Sequence, residues 1–250
     1  MPETRVEHIM GTAVSVDLAE PLPDATLDKV IDDLFGWLRA VDERFSTYKE
    51  QSEVNRLDRG ELSVPDCSPD LRHVLNRCAD FWRDTDGYFD VYATGRLDPS
   101  GYVKGWSVQV ASDRLVAAGV PNHCINAGGD VVVRGRPESG HGWRVGVRHP
   151  WELHHLCWVL EGSDLAVATS GTYERGPHVV DPRRGAPATA LRSVTVVGAD
   201  LGVADAYATA ALAMGRPGLD WLDRLSGYES GVVTEDGECF RSQGLPVVPA

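Results

Sequence analysis

Asp205 and Thr209 stand four residues apart in the run Val203-Ala-Asp-Ala-Tyr-Ala-Thr-Ala-Ala211. On a helix that interval puts a carboxylate and a hydroxyl on one face, and the alanines around them leave room for close approach. Such an oxygen pair suits a hard cation such as Mg²⁺, which is usually completed by water and substrate phosphates. A structural reading stands beside it, in which the helix dipole stabilises an Asp near a helix start and Thr209 back-bonds to a carbonyl. In Asn126-Ala-Gly-Gly-Asp130, adjacent glycines let backbone N–H groups approach a phosphate or sugar, and Asp130 can accept from a hydroxyl. The same residues also suit a plain hairpin turn. Gly101-Tyr-Val-Lys104-Gly105 puts an ammonium at a helix entrance, an anion site without Walker spacing. His178, ahead of an apolar pair and Asp181-Pro182, reads either as an accessible acid–base group or as a packed strand residue. Phe45-Ser-Thr-Tyr48, followed by Ser52-Glu53, offers an aromatic and a carboxylate that either flank a planar ring or simply cap and pack. The other histidines show no metal-ligand spacing.

Periodicity indicates the elements that must hold these residues. Apolar intervals of three and four predict helices over Asp24–Phe45 and about Asp70–Thr85. A third helix is expected from near Lys104 to Ala118, stopped by Gly119 and Pro121. The run Val6–Leu18, broken at Met10-Gly-Thr12, suggests two short strands around a bend. Short β-branched runs at 131–133, 143–147, 156–160, 165–168, 178–180 and 193–197 alternate with Gly-rich turns. Helices over Leu201–Met214 and Gly218–Leu225 follow, then a strand pair near Gly231–Phe240. Helices and strands are grouped, so the expected class is α+β with a largely antiparallel or mixed sheet and packed helices.

With 250 residues and no linker or repeat, one domain over 1–250 is the expected organisation. Its net charge of −13 argues against a nucleic-acid surface, which needs clustered Lys and Arg. No apolar stretch approaches the roughly 20 residues of a membrane span. The five cysteines form an odd set without a C-x-x-C pair, which reads as reduced thiols. The N-terminus is mixed polar with no signal-peptide core. A cytoplasmic location is the expectation.

The order of the motifs is more specific than any one of them. Met10-Gly-Thr12, Phe45-Ser-Thr-Tyr48 with Ser52-Glu53, Gly87-Tyr-Phe-Asp90 and Gly101-x-x-Lys104-Gly105 come first. Asn126-Ala-Gly-Gly-Asp130, Thr169-Ser-Gly-Thr-Tyr-x-Arg175, His178-x-x-Asp181-Pro182, Ser193-Val-Thr-Val196 and Ala204-Asp-Ala-x-Ala-Thr209 follow. In this order, from Met10 to about Met214, the chain resembles the ApbE-type FAD:protein FMN transferase family.

The resemblance implies a Mg²⁺-dependent enzyme that binds FAD as substrate and moves its FMN half onto a Ser or Thr hydroxyl of an acceptor protein, with AMP leaving. It implies Asp205 and Thr209 as metal ligands through side chains, and Gly101 and Ala208 through carbonyls. Met10, Tyr48, Tyr88, Phe89, Asp90, Asp98, Lys104 and Val179 match FAD-lining positions, and Glu53 and Asp130 fall in motifs near the site. Asp205 then counts as catalytic, and His178 is the candidate base because its pKa can lie near neutrality. The connection Val91–Ser100 is shorter than in family members, and Asp98-Pro-Ser-Gly101 replaces the usual Asp-Leu-Gly-Gly. A shorter wall to the FAD site is expected there. Without an exported N-terminus, the expected acceptor is intracellular or faces the cytoplasm. Competing functions are an FAD pyrophosphatase and a non-catalytic FAD-binding protein.

Overall fold

The computed structural model describes residues 3–152, 154–172, 176 and 179–249. Alternation along the strands sorts the two sides of a large sheet. In β4 (Asp130–Arg134), Val132 packs among helices while Val131 and Val133 point to the opposite face. β7 (Leu165–Gly171) and β10 (Leu191–Gly198) repeat the pattern: Ala166, Ala168, Val194 and Val196 join the helical side, Val167 and Val197 the other. A strand buried on both faces is apolar at consecutive positions, which is why these runs read as continuous Val and Ala.

The sheet has eight strands. β1 (Glu3–Ile9), β2 (Thr12–Leu18) and β3 (His123–Ala127) lead into β4, β7 and β10, then β11 (Glu229–Thr234) and β12 (Cys239–Arg241). β5 (Trp143–Arg148) and β6 (Leu156–Gly162) form a second, three-stranded sheet with β13 (Val247–Val248), and β8 (Val180–Asp181) pairs with β9 (Ala186–Pro187). Every pairing among the described residues is antiparallel. The small sheet covers the second core, where Val145, Val147 and Leu160 meet Val131, Val133 and Val167. Trp158 lies flush on β11: a Cβ on Gly231 would come within 2.8 Å of its ring.

Helices cover the other face. α1 (Asp24–Phe45) buries Leu27, Val30, Ile31, Leu34, Leu38 and Val41 along the expected stripe. α3 (Pro69–Asp84) starts at Ser68, whose hydroxyl accepts from Leu71 N–H. α5 (Leu201–Met214) is buried nearly all round, which fits its lack of a polar face. Asp200 caps it by accepting from Val203 N–H at 2.8 Å. α6 (Pro217–Leu222) follows. No described helix is long and apolar enough to cross a membrane.

The α+β, antiparallel expectation agrees with this architecture, and two details differ from it. α2 (Glu53–Asp58) is absent from the periodicity because it has only six residues and buries a polar one, Asn55. α4 runs over Ser100–Ala117 instead of starting near Lys104. Gly101 and Gly105 both lie inside this helix, where they face close neighbours. Of the strand expected over 178–180, His178 lies outside the described residues.

One buried polar cluster predicts a pH dependence. His123 is fully buried; its Nδ1 lies 2.8 Å from Val120 O and its Nε2 lies 2.8 Å from Ser112 Oγ. A carbonyl only accepts, so Nδ1 carries the proton, and Ser112 O–H donates to Nε2. Burial pushes the His123 pKa below its ordinary 6.5. The unfolded state then binds more protons, so this contribution to stability is complete above the unfolded pKa and is lost as pH falls below it. The urea midpoint is expected to fall between about pH 7 and pH 5, and His123→Gln should flatten that slope. An unchanged slope in the variant would contradict the neutral, buried ring.

Candidate functional site

Strand register gathers the motifs at one end of the large sheet. Val14 pairs with Ala127, Ala127 with Asp130, Val131 with Val167, and Gly171 with Ser193. The start of β2, the β3–β4 turn, the end of β7 and the start of β10 therefore share one end. Met10 and Gly11 make the β1–β2 turn with φ of 54° and 72°. The Gly128-Gly129 turn presses against it, since a Cβ on Gly128 would sit 2.4 Å from Thr12 Oγ1.

On the helical side of this end, α4 crosses α5 at very short range. A Cβ on Gly105 would lie 2.5 Å from Leu201 O and 2.8 Å from Asp205 Cβ; one on Gly202 would lie 2.8 Å from Tyr102 Cε2. Gln109 Oε1 accepts from Leu201 N–H at 3.0 Å across the same interface. The close approach lets Gly105 N–H donate to Asp205 Oδ2 at 3.0 Å, and Asp205 is only 4% exposed. One turn along α5, Thr209 Oγ1 is 3.2 Å from Ser170 Oγ of β7. Gly101 backs onto the same hydroxyl: a Cβ there would meet Thr209 Oγ1 at 3.2 Å and Phe89 Cε2 at 3.3 Å.

Asp205, Thr209, Ser170 and Gly101 thus form a small cradle of oxygen donors. No group of three or more His, Cys, Asp or Glu side chains is placed to hold a metal among the described residues. The donor chemistry here is different: one carboxylate and two hydroxyls. That set fits a hard divalent cation that keeps water and phosphate ligands, and does not suit a soft metal. A side chain at position 101 would fill the space beside Thr209.

Lys104 projects from α4 toward β4, its Nζ 2.7 Å from Asp130 Oδ2. Asp130 is 1% exposed, and its other oxygen accepts from Thr169 N–H at 3.1 Å. Oδ2 makes no well-angled hydrogen bond, so the Lys104 contact is an ion pair. With both oxygens engaged, Asp130 holds a cation in place, and the sugar-binding role open in the sequence is filled from within the protein.

The remaining sequence candidates divide. Met10 joins the α4 side, with its sulfur 3.8 Å from Ser107 Oγ. Phe89 is buried at Gly101, its N–H donating to Thr85 Oγ1 at 2.9 Å. Tyr88 sits beside it under the Arg183 guanidinium, 4.3 Å from the ring centroid. Asp90 and Asp98 each close a turn, accepting from Tyr92 N–H at 2.8 Å and Ser100 N–H at 3.0 Å. Ala208 and Val179 are buried. Tyr48 is 96% exposed, but its loop is rigid because buried Asn55 donates to Thr47 O at 3.0 Å and Lys49 O at 2.9 Å. Glu53 serves the scaffold: its oxygens accept from Ser68 N–H and Ser68 Oγ, both at 2.6 Å, and Arg44 lies beside it. His178 lies outside the described residues. Ser170 is the residue that sequence reasoning left without a role. Its phase with Ala166 and Ala168 is the signal that turns it toward α5.

Comparison with known proteins identifies the family. The model of the ApbE family matches residues 10–95 and 92–230. This chain belongs to the ApbE family. A FAD:protein FMN transferase of Chlamydia trachomatis is 30% identical over 279 residues, covering 86% of this chain and 84% of that protein. One from Vibrio cholerae is 33% identical over 130 residues, 48% of this chain but only 39% of its own length. In fold, the ApbE protein of Thermotoga maritima superposes with a TM-score of 0.85 at 22% identity, over 97% of each chain.

In this ApbE-family chain the crossing at Gly105 is the feature to break. Gly105→Ala should destabilise the fold by about 1–3 kcal/mol through overpacking against Leu201 O and Asp205 Cβ. Urea denaturation checks it. Wild-type values would mean the crossing tolerates a methyl group.

Proposed function

We propose that this chain catalyses Mg²⁺-dependent transfer of the FMN moiety of FAD to a Ser or Thr hydroxyl of an acceptor protein, releasing AMP. The observation that carries the reading is the convergence, at one end of the sheet, of the Asp205–Thr209 oxygen cradle with the Lys104 ammonium. Phosphoryl transfer asks mainly for positioning and charge neutralisation, and two cationic positions flanking a pyrophosphate meet that need. The names of the curated relatives support FAD and protein as the two substrates.

In this reaction the acceptor oxygen forms a bond to the FMN phosphorus, and the bond from that phosphorus to the bridging oxygen breaks. AMP leaves with the electron pair. Asp205 and Thr209, with the carbonyls of Gly101 and Ala208, would hold Mg²⁺. Bound there, the ion would neutralise charge on the pyrophosphate and on the departing AMP. Lys104, held in place by Asp130, would offer its remaining N–H donors to a phosphate oxygen with little reorganisation when FAD arrives. Phe89 closes the apolar side of the cradle. Tyr88 and Tyr48 offer ring faces for the flavin. The incoming hydroxyl's proton passes to a base, for which His178 is the candidate from sequence. A cytoplasmic setting is supported by five free cysteines; burial pushes the Cys78 thiol up to about 12 and keeps it protonated.

The test combines FAD, Mg²⁺, the purified protein and an acceptor domain with a target Ser or Thr. A fluorescent acceptor band on a denaturing gel, equimolar AMP and loss of both in EDTA are expected. Asp205→Asn keeps an acceptor for Gly105 N–H but removes the charge. It should cut transfer by more than about 100-fold, beyond the loss typical for an outer-shell partner, while leaving the melting curve close to wild type. AMP with free FMN and no band would make the protein a pyrophosphatase. Intact FAD throughout would make it a binding protein.

A further inference from the structure

The β8–β9 hairpin reaches across to the segment that follows α3, and Arg183 at its tip makes the connection. The turn is stiff: Asp181 O accepts from Arg184 N–H at 3.1 Å and Gly185 N–H at 2.9 Å, while Asp181 Oδ1 accepts from Arg183 N–H at 2.9 Å. Ala188 N–H donates to Val179 O at 2.9 Å, so the ladder extends to Val179. Opposite it, Asp86 and Gly87 take φ of 52° and 81°. Gly87 N–H bonds Trp82 O at 2.7 Å, closing the end of α3.

Arg183 engages this turn in three ways. Its Nη2 donates to Asp86 O at 2.9 Å, it pairs with the Asp86 carboxylate, and its guanidinium lies over the Tyr88 ring, 4.3 Å from the centroid. The Asp86 side chain is 92% exposed, and an exposed ion pair is worth little. The carbonyl bond and the stacked ring therefore carry the contact, and the flat guanidinium makes both at once from one side chain. Phe89, next along the chain, backs onto Gly101, which the Thr209 hydroxyl also borders. What holds Tyr88 therefore also sets the aromatic wall of the cradle.

We propose that Arg183 is a positioning residue for flavin binding. It clamps the Tyr88 ring and ties the Val179 hairpin to the Tyr88–Phe89 segment, so that two walls of the FAD site are set before the substrate arrives. The inference rests on the proposed function, in which Tyr88 offers a ring face to the flavin, and on the family resemblance, which puts Val179 at an FAD-lining position.

A double-mutant cycle tests it, with FAD affinity read by flavin fluorescence in the presence of Mg²⁺. Arg183→Ala and Tyr88→Ala should each raise the FAD Kd by about 5–20-fold, and the double variant should be no more than about twofold worse than either. In Arg183→Ala the KM for FAD should rise with Kd while kcat falls by less than about twofold. Arg183→Lys should bind FAD as poorly as Arg183→Ala, and Asp86→Ala should stay within about twofold of wild type. Additive effects, an unchanged Kd in Arg183→Ala, or full rescue by lysine would overturn the clamp while leaving the transferase reading intact. Wild-type protein that binds no FAD would overturn both.

Discussion

The approach of α4 to α5 is the constraint on which the site depends. Two helices pack at this distance only where one presents no side chain, and Gly105 and Gly202 are the positions that permit it. The crossing brings a backbone N–H of one helix onto the carboxylate of the other. A buried carboxylate without a partner is costly, and this hydrogen bond offsets part of the cost of burying Asp205. The alanines of α5 serve the same end, allowing the helix to lie between α4 and the sheet with almost no exposed surface.

A second buried carboxylate is treated differently. Asp130 is satisfied by an ammonium and a strand N–H. The pair fixes the Lys104 ammonium against the sheet. The two aspartates are thus satisfied in different ways, one by the N–H of a crossing helix and the other by an ammonium and a strand N–H. β7 joins them: Thr169 N–H bonds Asp130, and Ser170 meets Thr209. Because neighbouring residues of a strand point to opposite faces, only Ser170 of that pair turns toward α5, while the Thr169 hydroxyl bonds Thr195 at 2.9 Å.

The region beyond the cradle is built from turns. Tyr48, the Tyr88–Phe89 segment and the β8–β9 hairpin all sit on connections, and each is pinned by a specific polar contact: Asn55 for the first, Thr85 and Arg183 for the second, Asp181 for the third. Binding surfaces on loops need such ties, because a loop that orders only when the ligand arrives gives up part of its affinity to entropy.

The sequence alone determined the elements whose patterns are strong: the stripe of α1, the apolar strands of the two-sided sheet, and the helix carrying Asp205 and Thr209. It also determined the family, through the order of short motifs. Local spacing is enough for these, since a four-residue interval on a helix gives one face whatever surrounds it. The partners were decided by tertiary structure. Gly101 lies ahead of the expected helix start near Lys104, yet it and Gly105 both fall within α4, where another helix and an aromatic ring occupy the space their side chains would need. Glu53 and Asp130 both looked able to face a ligand, and packing turned one to cap α3 and the other to hold Lys104. Their carboxylates offer the same chemistry. What distinguishes them is which N–H and cationic groups the chain brings within reach, and those come from residues far away in sequence.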